Sequence, residues 1–342
     1  MKSDVVLPQP YLLFLGDTTE PGYAKTAFGL RDWAGERCVG EYAIDGATVS
    51  AGLAVLTPEQ AAAAGAKSIV IGVANAGGFI PPAWWPALVR ALEAGLDIVS
   101  GMHARLHEID VLRDTAQRLG RQLIDVREPP ARLPVATGLP RSGQRLLTLG
   151  TDCALGKKYT ALALTRAFVE RGVDATFRAT GQTGILIAGG GIPMDAVVAD
   201  FAAGAAELLS PDAPEHHWDV IEGQGSLFHP AYAGVSLALL HGSQPDVIVV
   251  CHEAGRERVL GHSGYAVPTI EDTIDLSLRL GARTNARIRC GGVSLNTARL
   301  DDAAAQRLVA SESDRLGVPV ADPIRGGAAF ARLVDACLAP PL

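Results

Sequence analysis

The chain has 342 residues, 48% hydrophobic and 20% charged, with a formal net charge of −7. That length exceeds what one core normally organises, so two domains are expected, and the acidic balance argues against nucleic acid because no basic face supplies phosphate contacts. Cys38, Cys153, Cys251, Cys290 and Cys337 are scattered without CxxC or Cys/His zinc spacing, which predicts reduced thiols; no metal ligand is assigned.

Residues 1–10 read as an irregular lead-in, without the apolar core of a signal peptide. Short apolar strands then alternate with helix-period segments along the whole chain, the pattern of parallel α/β architecture. Residues 11–16 (YLLFLG), 68–74, 97–102 and 122–126 read as buried strands, and 57–66, 82–95 and 104–120 as helices. This first part looks Rossmann-like, yet 11–16 is followed by GDTTEPG, so the dinucleotide fingerprint is absent. The Pro/Gly-rich stretch 127–143 reads as a linker, placing a Rossmann-like domain over 1–135 and a second α/β domain over 136–342. In the second part, strands are expected at 145–150, 175–180, 217–223, 245–252 and 286–296, with helices over 159–172, 194–209 and 269–281. No window approaches the roughly 20 apolar residues that span a bilayer. A cytoplasmic enzyme without membrane contact is the expectation.

The stretch LLTLGTDCALGKKYT carries the chemistry. A strand ending at Gly150, a tight loop through Thr151, Asp152, Cys153, Ala154 and Gly156, and a helix opening near Lys157 would aim backbone N–H groups and a helix dipole at one anion. Lys157 supplies a point charge for phosphate oxygens, with Tyr159 beside it. Where a nucleotide-hydrolysing loop places a magnesium-binding Ser or Thr, this chain has Lys158. Thr160 is turned some 200° away on a helix. The spacing is one residue longer than G-x-x-x-x-G-K and matches the G-T-D-x-x-x-G-K loop of dethiobiotin synthetase-like proteins. Asp152 and Glu222 stand in places similar to that group's acidic magnesium ligands. Two readings stay open at this point: a phosphate-bearing ligand bound without hydrolysis, or an ATP- and magnesium-dependent ligase or kinase.

Polar residues gather after the expected strands, where α/β sheets bind ligands. Arg178, Gln182 and Thr183 follow one, with Arg178 a planar clamp for a carboxylate or a partner in a surface ion pair. Glu222, Gln224, Ser226, His229 and Tyr232 follow another, and Glu222 or His229 is a candidate general base. His252, Glu253, Arg256, Arg258, His262 and Tyr265 follow a third. The pair Trp84-Trp85 reads as packing.

The runs GTDCALGKKYT, FRATGQTGILIAGGGIPMDAVVADFAAGAAE, DVIEGQGSLFHPAYAGVSLALLHGSQPD and GGVSLNT resemble the D-glutamate N-acetyltransferase family, two-domain proteins with a Rossmann-like domain followed by a P-loop domain. The resemblance covers nearly the whole chain and is strongest over 146–296. It implies transfer of an acetyl group from acetyl-CoA to the amine of D-glutamate, a catabolic step, with coenzyme phosphates at Gly150–Tyr159. It further implies Glu222 or His229 as base, backbone N–H groups on the oxyanion, and Arg178 with Arg256 on the substrate carboxylates. Gln182, Thr183 and Gln224 join the substrate-binding set. Cys153, at an expected helix start that would lower its thiol pKa, is a conceivable acetyl carrier. Homo-oligomerisation is the ordinary expectation for such an enzyme.

Overall fold

The computed structural model describes residues 7–75 and 77–340, so most of the expected lead-in lies outside the described residues. The chain divides into two compact units. One runs to Pro129 and also includes Gln182–Pro193; the other comprises Pro130–Gly181 and continues from Met194.

The elements up to Pro129 are β1 (Tyr11–Gly16), α1 (Lys25–Ala34), β2 (Cys38–Ala43), α2 (Pro58–Ala63), β3 (Ser68–Ile71), α3 (Trp85–Glu93), β4 (Asp97–Ser100), α4 (Asp110–Leu119) and β5 (Leu123–Asp125). They form a parallel sheet in the order β2-β1-β3-β4-β5. β1 is buried at every position, as a strand covered on both faces must be. Helix α2 starts with a full capping box, Thr57 accepting from the Gln60 N–H while the Gln60 side chain accepts from the Thr57 N–H.

Trp84 is buried and meets Phe14 edge-on at 5.4 Å between ring centroids. Its Nε1 donates to Asp17 at 2.8 Å. A Cβ on Gly16 would stand 2.4 Å from the indole, so Gly16 makes room for that side chain.

The remaining elements are β6 (Gln144–Gly150), α5 (Lys157–Glu170), β7 (Ala175–Arg178), α6 (Gln182–Ala188), α7 (Ala199–Leu209), β8 (Trp218–Ile221), α8 (Ala233–Ser243), β9 (Val247–Glu253), β10 (Arg258–Val259), β11 (His262–Ala266), α9 (Ile270–Gly281), β12 (Arg289–Asn296), α10 (Asp302–Leu316), β13 (Val320–Ala321) and α11 (Gly327–Leu338). The second unit's main sheet is parallel, in the order β13-β12-β9-β6-β8-β7. Strand β6, which feeds the glycine-lined loop, therefore runs between β9 and β8. β10 and β11 make a separate antiparallel hairpin. One side of the sheet is filled by Leu146, Leu164, Phe168, Trp218, Val220 and Leu333, with Phe168 edge-on to Trp218 at 5.4 Å. Helix α6 packs within the first unit, where Thr183 Oγ1 lies 3.1 Å from Thr26 Oγ1 on α1. Among the described residues no helix is long and apolar enough to cross a membrane.

The stretch expected as a linker is an ordered strap within the second unit from Pro130 onward. Arg141 donates to the carbonyls of Glu207, Ser210 and Gly242, and Thr137 N and Gly138 N both donate to the Glu207 carboxylate. The strap lies so close to α7 that a Cβ on Gly204 would fall 1.9 Å from the Pro134 carbonyl oxygen. Backbone cannot yield as a side-chain tip can, so Gly204→Ala should destabilise the protein by about 2 kcal/mol or more. An unchanged urea midpoint would show that the strap does not rest on α7.

Candidate active site

The loop from Gly150 to Lys157 closes around its own lysine. Lys157 is buried and its Nζ donates to the Asp152 carbonyl at 2.7 Å. Burial pulls the Lys157 ammonium below its ordinary pKa. Gly156 caps α5 at φ +110°, a conformation that side chains disfavour. Thr148 ties the loop to the next strand, its Oγ1 accepting from the Gly223 N–H at 3.0 Å. Thr160 turns away: its Oγ1 donates to the Gly156 carbonyl at 3.1 Å and lies 2.7 Å from Ser294 Oγ. At the other end of the loop, Thr151 Oγ1 and His252 Nδ1 lie 2.9 Å apart.

Asp152 is fully buried and holds the loop's shape. One carboxylate oxygen accepts from the Cys153 N–H at 2.6 Å. The other accepts from Arg256 at 3.0 Å and from the Leu260 N–H at 2.8 Å. Arg256 also donates to the Cys153 carbonyl at 2.7 Å and pairs with Glu253. Its guanidinium is thus committed to the loop and to β9. The hairpin that brings Leu260 also brings His262 edge-on to His229, 5.1 Å between centroids.

Glu222 sits just beyond β8, buried. Its Oε2 accepts from the N–H groups of Thr180 at 3.0 Å and Gly181 at 3.1 Å. Among the described residues Oε1 makes no hydrogen bond. Desolvation raises the Glu222 carboxyl above its ordinary pKa, partly opposed by the Thr180 N–H and by the charge of Lys158. Thr180 also donates through Oγ1 to the Glu222 carbonyl at 2.7 Å and accepts from Gln224 Nε2 at 2.9 Å.

His229 is 2% exposed. Its Nδ1 accepts from the Ala231 N–H at 3.1 Å, so the neutral ring carries its proton on Nε2. That Nε2 is buried without a hydrogen-bond partner, 3.7 Å from Asp152 Oδ1. Desolvation holds the imidazole below its ordinary pKa, keeping it neutral.

The other expected residues have partners of their own. Arg178 Nε donates to Asp219 at 2.6 Å, the ion-pair alternative. Gln182 and Thr183 belong to the first unit with α6. The thiol of Cys153 is pushed up by burial, the reverse of the expected lowering, because α5 begins four residues later at Lys157. Thr180 and the Leu260 N–H were not among the expected site residues. A backbone donor has no side-chain signature, and Thr180 stands out only as the residue before Gly181 at a strand end.

Asp152, Cys153 and His229 bring an oxygen, a sulfur and a nitrogen within 4.8 Å of one another. Their states do not suit a cation. The Asp152 carboxylate is already paired with a guanidinium, burial favours the Cys153 thiol over the thiolate, and His229 presents N–H rather than a lone pair. The magnesium of hydrolytic P-loops fits no better at Asp152, which Arg256 already occupies.

Residues 134–334 match the family described as a domain of unknown function, DUF1611_C, P-loop domain, and residues 36–129 match DUF1611_N, Rossmann-like domain. The chain belongs to the DUF1611 family. Two curated relatives carry the name D-glutamate N-acetyltransferase. The one from Tritonibacter scottomollicae is 48% identical over 334 residues, covering 98% of this chain and 100% of the relative. The one from a Pseudoalteromonas species is 48% identical over 318 residues, covering 93% and 96%. A crystal structure of a DUF1611 protein from Anabaena variabilis ATCC 29413 superposes with a TM-score of 0.83 at 33% identity, covering 96% of this chain and 98% of that one.

Within this DUF1611 chain, replacing Arg256 would leave Asp152 as an underpaired buried charge. Arg256→Ala should therefore destabilise by about 3 kcal/mol, with Arg256→Lys recovering part of it. Urea denaturation reads this, and a loss under about 1 kcal/mol would mean another contact fixes the loop.

Proposed function

We propose that this protein is a D-glutamate N-acetyltransferase that takes its acetyl group from acetyl-CoA. The observation that carries the reading is a buried carboxylate with a raised pKa, Glu222, in the same unit as an anion loop whose acidic residue is tied to Arg256. The names of the curated relatives support it. A ligase or kinase would need Asp152 as a metal ligand, and that carboxylate is already tied to Arg256 and the Leu260 N–H.

In this mechanism the Gly150–Lys158 loop grips coenzyme phosphates that stay intact, so a magnesium-binding hydroxyl is not required. The ammonium of D-glutamate gives one proton to solvent, and Glu222, through Oε1, takes a second from the same nitrogen as it attacks. The freed amine attacks the thioester carbonyl, the C–N bond forms and the C–S bond breaks. Glu222 then returns the proton to the departing thiolate. His229 acts as a donor in this scheme: its Nε2–H, lacking a partner, stabilises the oxyanion on the carbonyl. Arg178 keeps its terminal NH2 groups for a substrate carboxylate while Nε remains on Asp219. Gln224, held against Thr180, lines the substrate side. Arg256 positions the loop.

Thiol release from acetyl-CoA in the presence of D-glutamate, with mass detection of the N-acetyl product, tests the assignment. Magnesium-dependent ATP hydrolysis without thiol release would overturn it. Because a base must be ionised, kcat/KM should rise with pH through an apparent pKa above the ordinary carboxyl value of 4.5. Glu222→Gln should lower kcat at least about 100-fold and abolish that acid limb. A Gln variant with the wild-type pH profile would remove Glu222 from the chemistry. Lys157→Ala should raise KM for acetyl-CoA about tenfold more than KM for D-glutamate. Equal effects would mean that the loop does not hold the coenzyme.

A further inference from the structure

A cavity of about 350 Å³ opens beside the glycine-lined loop, within the ordinary range for small-molecule sites of roughly 300–1,000 Å³. Its walls are Leu155 at the end of the loop, Tyr159 on the first turn of α5, Asn296 and Ala298 after β12, and Pro323 and Ile324 after β13. Strand order places it to one side of the loop. β12 and β13 lie beyond β9, whereas Glu222 and Thr180 follow β8 and β7 on the opposite flank of β6. A molecule anchored by phosphates at the centre therefore has two arms, one toward this cavity and one toward the candidate base.

The cavity's chemistry suits a flat heteroaromatic group. Its walls are largely apolar. Asn296 uses Oδ1 to accept from the Ala298 N–H at 3.1 Å, so its NH2 is the donor it can offer to a ring nitrogen. Asp322 is saturated by Thr297, Ile324 N and Arg325 N, and Arg325 is held by Thr297, Leu300 and Asp302, so neither presents a bare charge to a ring. A further cation nearby is Lys158, whose Nζ lies 4.6 Å from the centroid of the Tyr159 ring.

We propose that this cavity takes the adenosine end of the coenzyme, with Lys158 against its 3′-phosphate, directing the thioester arm toward Glu222. The proposal rests on the acetyl-CoA reading and deepens it. It also gives Lys158 a task at the position where hydrolytic loops keep a metal-binding hydroxyl.

The test compares acetyl-CoA, acetyl-3′-dephospho-CoA and acetyl-4′-phosphopantetheine as donors. Calorimetry with adenosine 3′,5′-bisphosphate supplies a readout independent of turnover. Ala298 is exposed, so Ala298→Trp fills the mouth of the cavity without repacking the core. In this variant the preference in kcat/KM for acetyl-CoA over acetyl-4′-phosphopantetheine should fall at least about tenfold, and the Kd for the bisphosphate should rise as much. Lys158→Ala should reduce the preference for acetyl-CoA over its 3′-dephospho form about tenfold. An Ala298→Trp protein whose donor preference and bisphosphate Kd both stay within about twofold of wild type overturns the cavity assignment. Failure of the wild type to acetylate D-glutamate with any of the three donors counts instead against the acetyltransferase reading, and the bisphosphate Kd still decides the cavity.

Discussion

The ion pair between Asp152 and Arg256 is the interaction on which the site's geometry depends. A fully buried carboxylate is expensive unless it is neutralised and hydrogen-bonded. Here a guanidinium and two backbone N–H groups do both. The partners come from β9's continuation and from the hairpin of β10 and β11, so one side chain in the loop fixes where two later segments lie. In a metal-dependent loop the same carboxylate would face a divalent ion. Filling that role with a side-chain cation suits a loop that grips phosphate without cleaving it.

Two carboxylates thus occupy related places and have different surroundings. Asp152 is saturated and paired with a full positive charge. Glu222 has two N–H donors on one oxygen only, and desolvation raises its pKa. In the proposed mechanism, the oxygen of Glu222 without a donor is the one that accepts the proton. His229 follows the same logic in its tautomer, because the Ala231 N–H decides which ring nitrogen keeps the hydrogen.

Much of this was legible in the sequence, and the failures have physical causes. β1 and β6 read directly because strands buried on both faces are continuous apolar runs. β2 gives no strand signal because Gly40 and Glu41 interrupt its pattern; Glu41 is buried, accepting from Ser50 and from the Ala51 and Leu53 N–H groups. Helix α8, AGVSLALLHGS, is apolar nearly all round and so carries no periodic signal. At the site, the loop spacing announced Gly156 and Lys157. The role of Arg256 did not follow, because its partner lies 104 positions away and only the fold joins them. For Cys153, closeness to a helix start predicts a lowered thiol pKa, whereas in the fold burial raises it.

The strand-to-helix excursion at Gln182–Pro193 has a consequence for how the polypeptide matures. The first unit lacks one of its helices until residue 193 has emerged, well after β6 and the loop have been made. Synthesis therefore cannot finish the units one after the other, as it does for beads on a string. For the same reason, cutting the gene at the proline-rich strap would yield two incomplete fragments, one missing α6 and the other carrying it with nothing to cover its apolar side.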